Sequence, residues 1–305
     1  MIVKDAMQTE VMTIQADQTM PDAVVKMGTL EARRLLVTDG KRLVGLLTSG
    51  EITRTLQKSS GPQTPWGIVF QAAFTHVRDI MTHEVYTALE TDDLKVSIQS
   101  LLDHYVGELP VLDAEGAFSG LLTLTDVLRA AAQDPQPDWG LVRDHMSAGA
   151  LSVTPETPLS EAAAYLTVTR LRVMPVVAGT GHEPFSAGRR RLLGVLHQRD
   201  IRAAIIHAED GHGPTVLGDR FFLGGLTARD MMRPPTNKIL ADAAVMEAVR
   251  AMLMADVHGL PVIDDDEDLL GVITVSDILR LMVRATFPTA RVPAISALAQ
   301  VEPHG

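Results

Sequence analysis

"GVITVSD", residues Gly271 to Asp277, decides how this sequence is read, because the chain writes it four times. "GLLTLTD" runs from Gly120 to Asp126, "GVLHQRD" from Gly194 to Asp200 and "GLLTSGE" from Gly45 to Glu51. In every copy an acid stands six residues after the glycine. A second phrase lies upstream of each: "VKDAM" at Val3, "VRDIM" at Val77, "VRDHM" at Val142 and "ARDMM" at Ala228. With Asp5, Asp79, Asp144 and Asp230 as origins, the fifteenth residue on is Met20, Leu94, Leu159 or Val245. The thirtieth is Leu35, Leu109, Met174 or Leu260, and no gap is needed over that span. Four aligned registers identify an internal repeat. The copies then diverge: between Met174 and Gly194 the third carries "GTGHEPFSAGRRR", whose glycines and proline predict a loop.

Each copy predicts the same elements. A short β-like run such as "EVYTA" or "ALSVT" leads into a helix pattern. Leu94, Ile98, Leu101 and Leu102 recur at helical spacing in the second copy, and Val245, Ala248, Val249 and Met252 do so in the fourth. Thr157 followed by Pro158 predicts an N-cap with proline in the first turn. "LPVLD", "MPVVA" and "LPVID" are too short for helices, so they predict strands, and the glycine-led runs predict the returning strands of hairpins. A second helix is expected to start after the acid. The fold class is therefore α/β (α+β), with four tandem β-α-β-β-α units over residues 1–58, 77–133, 142–207 and 228–284, and a tail over 285–305. Such a small unit makes a poor core alone. Units one and two are expected to pair as one module (1–133) and units three and four as another (142–284), with "DPQPDWG" at Asp134–Gly140 as linker.

Composition narrows the function classes. With 46 % hydrophobic and 4 % aromatic residues, the core must be aliphatic. The net charge of −11 argues against a general electrostatic grip on nucleic acid or anionic membranes. The absence of cysteine removes thiol nucleophiles, disulfides and thiolate metal sites. No signal peptide and no apolar run of spanning length is read, so a cytoplasmic location is expected.

These residues resemble CBS domains: the "RDxM"-like openings, the "LPV" strand and the closing glycine–aliphatic–Thr/Ser–Asp phrase carry the resemblance over nearly the whole chain. In that family two units pair into a Bateman module whose clefts take adenosine nucleotides or related molecules. The resemblance implies a physical reason for the recurring acid. A carboxylate accepts hydrogen bonds from both hydroxyls of a ribose, and a helix start favours its charge. A nearby Thr or Ser and free backbone N–H groups suit a phosphate. The implied nucleotide-binding residues are Gly120, Thr123, Thr125 and Asp126 in unit two, and Gly271, Thr274, Ser276 and Asp277 in unit four. For the base, it implies Val85, Val106 and Gly107 in unit two, and Val257 and His258 in unit four. Unit three keeps Asp200, with Arg199 suited to a more phosphorylated ligand. Unit one has Gly50 and the longer Glu51. An Asp at a helix start also serves as an N-cap with no ligand present.

Other clusters read as structure. "IDDDEDLLG" is expected to be a hairpin turn, not a metal loop, and His207 and His212 lie in a glycine-rich linker. Arg189–Arg191 are read as a loop, and the recurring Met7, Met81, Met146 and Met232 as core filler. No nucleophile-elbow, zincin or P-loop signature occurs. The expectation is an adenylate-sensing regulator with no catalytic residues, no metal site and no required cofactor. Its ligand would be an adenosine nucleotide, with or without Mg2+, and its output a change read by a protein partner. The alternatives are a metal-assisted nucleotide hydrolase and a structural adaptor with empty clefts. The four units could close into a disc within one chain, or two chains could pair as a homodimer.

Overall fold

A computed structural model describes residues 1–58 except 31 and 33, 74–133, 139–179 except 170, 190–201 and 225–284. The insertion in unit three and the histidines His207 and His212 lie largely or wholly outside the described residues.

Unit two shows the predicted order. Strand Ala88–Leu89, helix Leu94–Asp103, strands Glu108–Leu112 and Phe118–Thr123 and helix Leu124–Gln133 follow one another. The short strand pairs parallel with Val111–Leu112, and the hairpin places Glu108 opposite Thr123 and Val111 opposite Gly120. The helix forms because Leu94, Ile98 and Leu101 fall on one buried face. Asp93 caps it by accepting from the Lys95 N–H at 2.8 Å. Units one and four repeat this plan. In unit three the first strand shrinks to one parallel bridge, Val153 to Val176. Its helix Leu159–Val168 is capped one residue later than the sequence predicts, at Pro158, without a side-chain bond. Thr157 instead accepts from the Thr154 N–H at 3.1 Å.

The opening phrases do not stay with their own units. Ile2 bridges Asp93 and Gln8 bridges Leu121, so the opening of unit one lies across unit two. Thr19 bridges His76 and Leu46 bridges Thr82, so the opening of unit two lies across unit one. The second pair copies the exchange. Ser147–Ala148 joins the sheet of unit four beside Leu269–Thr274, while Arg233 bridges Val195 of unit three. The recurrent Asp5, Asp79 and Asp230 serve these openings by accepting from the N–H three residues back, at 2.7–3.2 Å. The hairpins also meet within each pair: the Phe118 N–H donates to Lys41 O at 2.8 Å, and Leu269 N–H to Arg190 O at 2.8 Å. The chain is thus two modules of exchanged units, as the pairing of repeats predicts.

Among the described residues three apolar clusters result. Unit one and unit three each bury their own, around Leu35 and around Met174. Units two and four share the third, where Ile98, Leu101 and Leu128 join Val249, Met252 and Leu279. The two modules therefore meet through units two and four. Trp139, just after the linker residues outside the description, packs on it, and its carbonyl meets His145 Nε2 at 2.7 Å. The acidic stretch after Ile263 is a hairpin turn, with Asp264 accepting from the Asp266 and Asp268 N–H groups. Arg191 pairs with Glu267 at 3.1 Å. Among the described residues no helix is long and apolar enough to cross a membrane.

Candidate functional site

Every closing strand runs straight into a helix, and the acid sits in its first turn. In unit two the reason is a reciprocal cap. The Thr123 N–H and hydroxyl donate to Asp126 Oδ2 at 2.9 and 2.5 Å, and the Asp126 N–H returns to Thr123 Oγ1 at 3.3 Å. Unit four repeats it: Thr274 N–H and hydroxyl reach Asp277 Oδ2 at 2.8 and 2.7 Å. In unit one Thr48 donates to Glu51 Oε2 from its N–H at 2.7 Å and from its hydroxyl. Asp126 and Asp277 are 3 % and 8 % exposed. Thr125 and Ser276 are half-buried beside them.

The second oxygen of each acid is held by side chains that the sequence reading passed over. Asp126 Oδ1 accepts from Gln8 Nε2 at 2.8 Å and from an Arg129 NH group at 2.7 Å. Asp277 Oδ1 accepts from Arg280 at 2.8 Å. Arg54 takes the same place on Glu51 at 2.7 Å. The signal was readable: an arginine follows the acid by three residues in three of four copies. Gln8 was hidden by the exchange of openings. In unit three Arg233 holds the same register position as Gln8, and it donates to Asp200 Oδ1 at 2.5 Å. There His197 stands in place of the capping threonine, and among the described residues Asp200 Oδ2 is buried with no hydrogen-bond partner. Burial lowers the His197 pKa; Asp200 opposes that shift, and Arg199 and Arg233 add to it.

A cavity of about 350 Å3 opens beside the unit-two turn. Thr123, Thr125 and Gly107 form one wall, and Val11, Met12, Ala32 and Arg34 of unit one form the other. Arg172 and His258 reach it from the second module. Of the residues read from sequence, the structure thus brings Gly107, Thr123, Thr125 and His258 together. Val85, Val106 and the carboxylate of Asp126 are not on the cavity wall. For Val85 and Val106 the exchange is the physical reason. Because Gln8 bridges Leu121, the chain leading to Val11 passes the closing strand of unit two. Val85 follows Thr82, which bridges Leu46 in unit one. Val11 and Ala32 hold in unit one the register positions that Val85 and Val106 hold in unit two.

Unit four shows the same displacement. Arg199, from the turn of unit three, donates to Asp256 O at 3.0 Å, two residues before His258. It is therefore already engaged by the protein. Burial lowers the His258 pKa; Arg172 and Arg199 lower it further, and Asp256 opposes them. Val257 is buried and is not on the cavity wall. Gly120 and Gly271 face protein, not the cavity. A Cβ at either would lie 2.5 Å from Gln8 O or 2.4 Å from Ser147 O. Among the described residues no three His, Asp or Glu side chains gather as a metal site.

Exchanged openings, paired hairpins and acid-bearing turns define a protein of four tandem repeats arranged as two modules. The CBS domain family model matches residues 3–58, 77–133, 142–207 and 228–284, and the chain belongs to that family. It is similar to protein MJ1225 of Methanocaldococcus jannaschii, 24 % identical over 92 % of this chain and 98 % of that one. The crystal structure of MJ1225, whose authors propose it as an archaeal homologue of γ-AMPK, superposes with a TM-score of 0.68 at 22 % identity, covering 92 % of this chain and 100 % of that one. A conserved protein from Pyrococcus horikoshii superposes at 0.63 and 20 % identity, covering 93 % and 100 %. A segment covering 39 % of this chain is 26 % identical to 21 % of the inosine-5'-monophosphate dehydrogenase of M. jannaschii.

Proposed function

We propose that this regulatory CBS protein binds an adenosine nucleotide or related adenosyl ligand and passes the event to a protein partner, with no chemistry of its own. The observation that carries the reading is the cavity between Thr123–Thr125 and the unit-one wall. Its volume of about 350 Å3 falls in the range of about 300–1,000 Å3 that small-molecule pockets occupy. Apolar Val11, Met12 and Leu36 suit a base, while Arg34, Arg172 and the hydroxyls suit phosphates. Asp126 and Asp277 are the proposed ribose acceptors, with Gly107, Thr123, Thr125, Thr274, Ser276 and His258 around them. Asp200 and Arg199 form the proposed third position. Signalling follows if the ligand prefers one arrangement of the modules, because only differential affinity shifts a population.

The test is a thermal-shift series with AMP, ADP, ATP, S-adenosylmethionine and cyclic dinucleotides, each with and without Mg2+. A concentration-dependent rise in Tm for at least one compound is expected. An unmoved Tm at millimolar concentration of all of them removes the sensing reading and leaves a structural adaptor. Magnesium-dependent release of phosphate from ATP, lost in Asp126→Asn or Asp277→Asn, would instead establish the hydrolase.

A further inference from the structure

Arg54, Arg129 and Arg280 stand three residues after their acids, a spacing that sets two side chains next to each other on a helix. Each guanidinium lies on its own carboxylate at 2.7–2.8 Å. A carboxylate offers about four acceptor positions. Asp126 has all of them filled, by the Thr123 N–H, the Thr123 hydroxyl, Gln8 and Arg129. Among the described residues Asp277 has three donors, the Thr274 N–H and hydroxyl and Arg280. A vicinal diol therefore meets a full carboxylate in unit two and a single open position in unit four.

The donors differ in how easily they leave. The threonine bonds are the helix cap itself. Gln8 is anchored by paired backbone bonds with Leu121 at 2.8 and 2.9 Å. Arg129 and Arg280 are about half exposed, with side chains 54 % and 50 % accessible. The guanidinium end of each pair stands in water, where salt screens it, while the carboxylate end is buried.

We infer that Arg129 and Arg280 are built-in competitors for the ribose seats. Each occupies the carboxylate oxygen that a ligand hydroxyl needs, and binding requires the guanidinium to swing away. The seat at Asp277 fills before the seat at Asp126, because Asp277 has an open acceptor position among the described residues and Asp126 has none. Unit three lacks the device: Ala203 stands at the arginine position, and Arg233 reaches Asp200 from another element. The inference rests on the reading that these carboxylates take ribose.

The probe is adenosine, which is uncharged, so loss of a cation does not weaken phosphate attraction. Calorimetry is run on the wild type, Arg129→Ala, Arg280→Ala and the double variant at low and high salt. Each variant is expected to bind adenosine about two- to fivefold more tightly. Arg280→Ala acts on the tighter event and Arg129→Ala on the weaker. Wild-type affinity rises with salt, and that rise disappears in the double variant. Equal or weaker binding in both single variants overturns the competitor role and leaves the nucleotide reading intact. Absence of binding by both adenosine and AMP in every protein overturns the two together.

Discussion

A methyl group on Gly120 would lie 2.5 Å from the carbonyl oxygen of Gln8. Met7 Sδ would be 2.9 Å from the same methyl. The equivalent pairs are Gly45 with Met81 and Thr82, Gly194 with Met232 and Arg233, and Gly271 with Met146 and Ser147. The glycine of each closing phrase and the methionine of each opening phrase are thus two halves of one contact. They are made between units, so they hold each exchanged pair together.

Gly120→Ala is therefore expected to destabilise the first module by about 2–3 kcal/mol, because the nearest atom is backbone and cannot rotate away. Alanine at Gly28, where nothing lies within 4 Å, serves as the control. Urea melts followed by circular dichroism measure the difference. Equal stability of the two variants would contradict the contact.

The core shared by units two and four makes a second claim testable. Ile98 is fully buried on the helix Leu94–Asp103, which packs against the helix Val275–Arg284. Ile98→Ala should cost about 2–5 kcal/mol. Hydrogen exchange should show lost protection in the helix of unit four as well as that of unit two. Protection lost only within residues 94–103 would mean that the modules are energetically separate.

Stability should depend on pH through His197 and His258. Burial lowers both pKa values below the ordinary 6.5. Above that value folded and unfolded chains are both neutral at these sites, and the stabilisation is fully present. As pH falls, the unfolded chain takes up protons first, so stability is lost down through the folded pKa values. Denaturant midpoints at pH 7.5 and 5.5 should differ, and the double variant His197→Gln, His258→Gln should narrow the gap. An unchanged gap would show that other groups set it.

Tyr105 and Asp256 test the backbone. They stand at the same register in units two and four and adopt φ of 53° and 50°. Left-handed backbone costs a non-glycine residue roughly 1–2 kcal/mol. Tyr105→Gly, at an exposed position, should raise stability by up to about 1 kcal/mol after the greater unfolded-state freedom of glycine is counted. A lower Tm would show that the Tyr105 side chain contributes more than its backbone costs.

The repeats were legible because periodicity and register are local properties of a sequence. Helix Leu94–Asp103, the hairpins and the acid turns all follow from residues near one another in the chain. The exchange of openings was not legible. Nothing in "VKDAM" tells whether it packs on its own unit or its neighbour, since both present the same glycine. For that reason the sequence does not show that Val11 and Ala32, the register equivalents of Val85 and Val106, line the cavity beside Thr123, nor that Gln8, Arg34 and Arg172 lie near that turn. Arg129 and Arg280 were in plain view at a fixed spacing, yet their meaning required the carboxylate geometry. Thr123, Thr125 and Gly107 fall together because the strand end, the first helical turn and a backbone partner carry them: the Leu124 N–H donates to Gly107 O at 3.1 Å.

The most direct measurement is a calorimetric titration of AMP into the wild type and into a double variant, Asp126→Asn and Asp277→Asn. Asparagine keeps an acceptor for the helix cap while removing the charged seat for a ribose diol. Saturable binding by the wild type and at least tenfold weaker binding by the variant is the predicted result. Undiminished binding by the variant would place the ligand elsewhere and contradict the assignment of these two carboxylates.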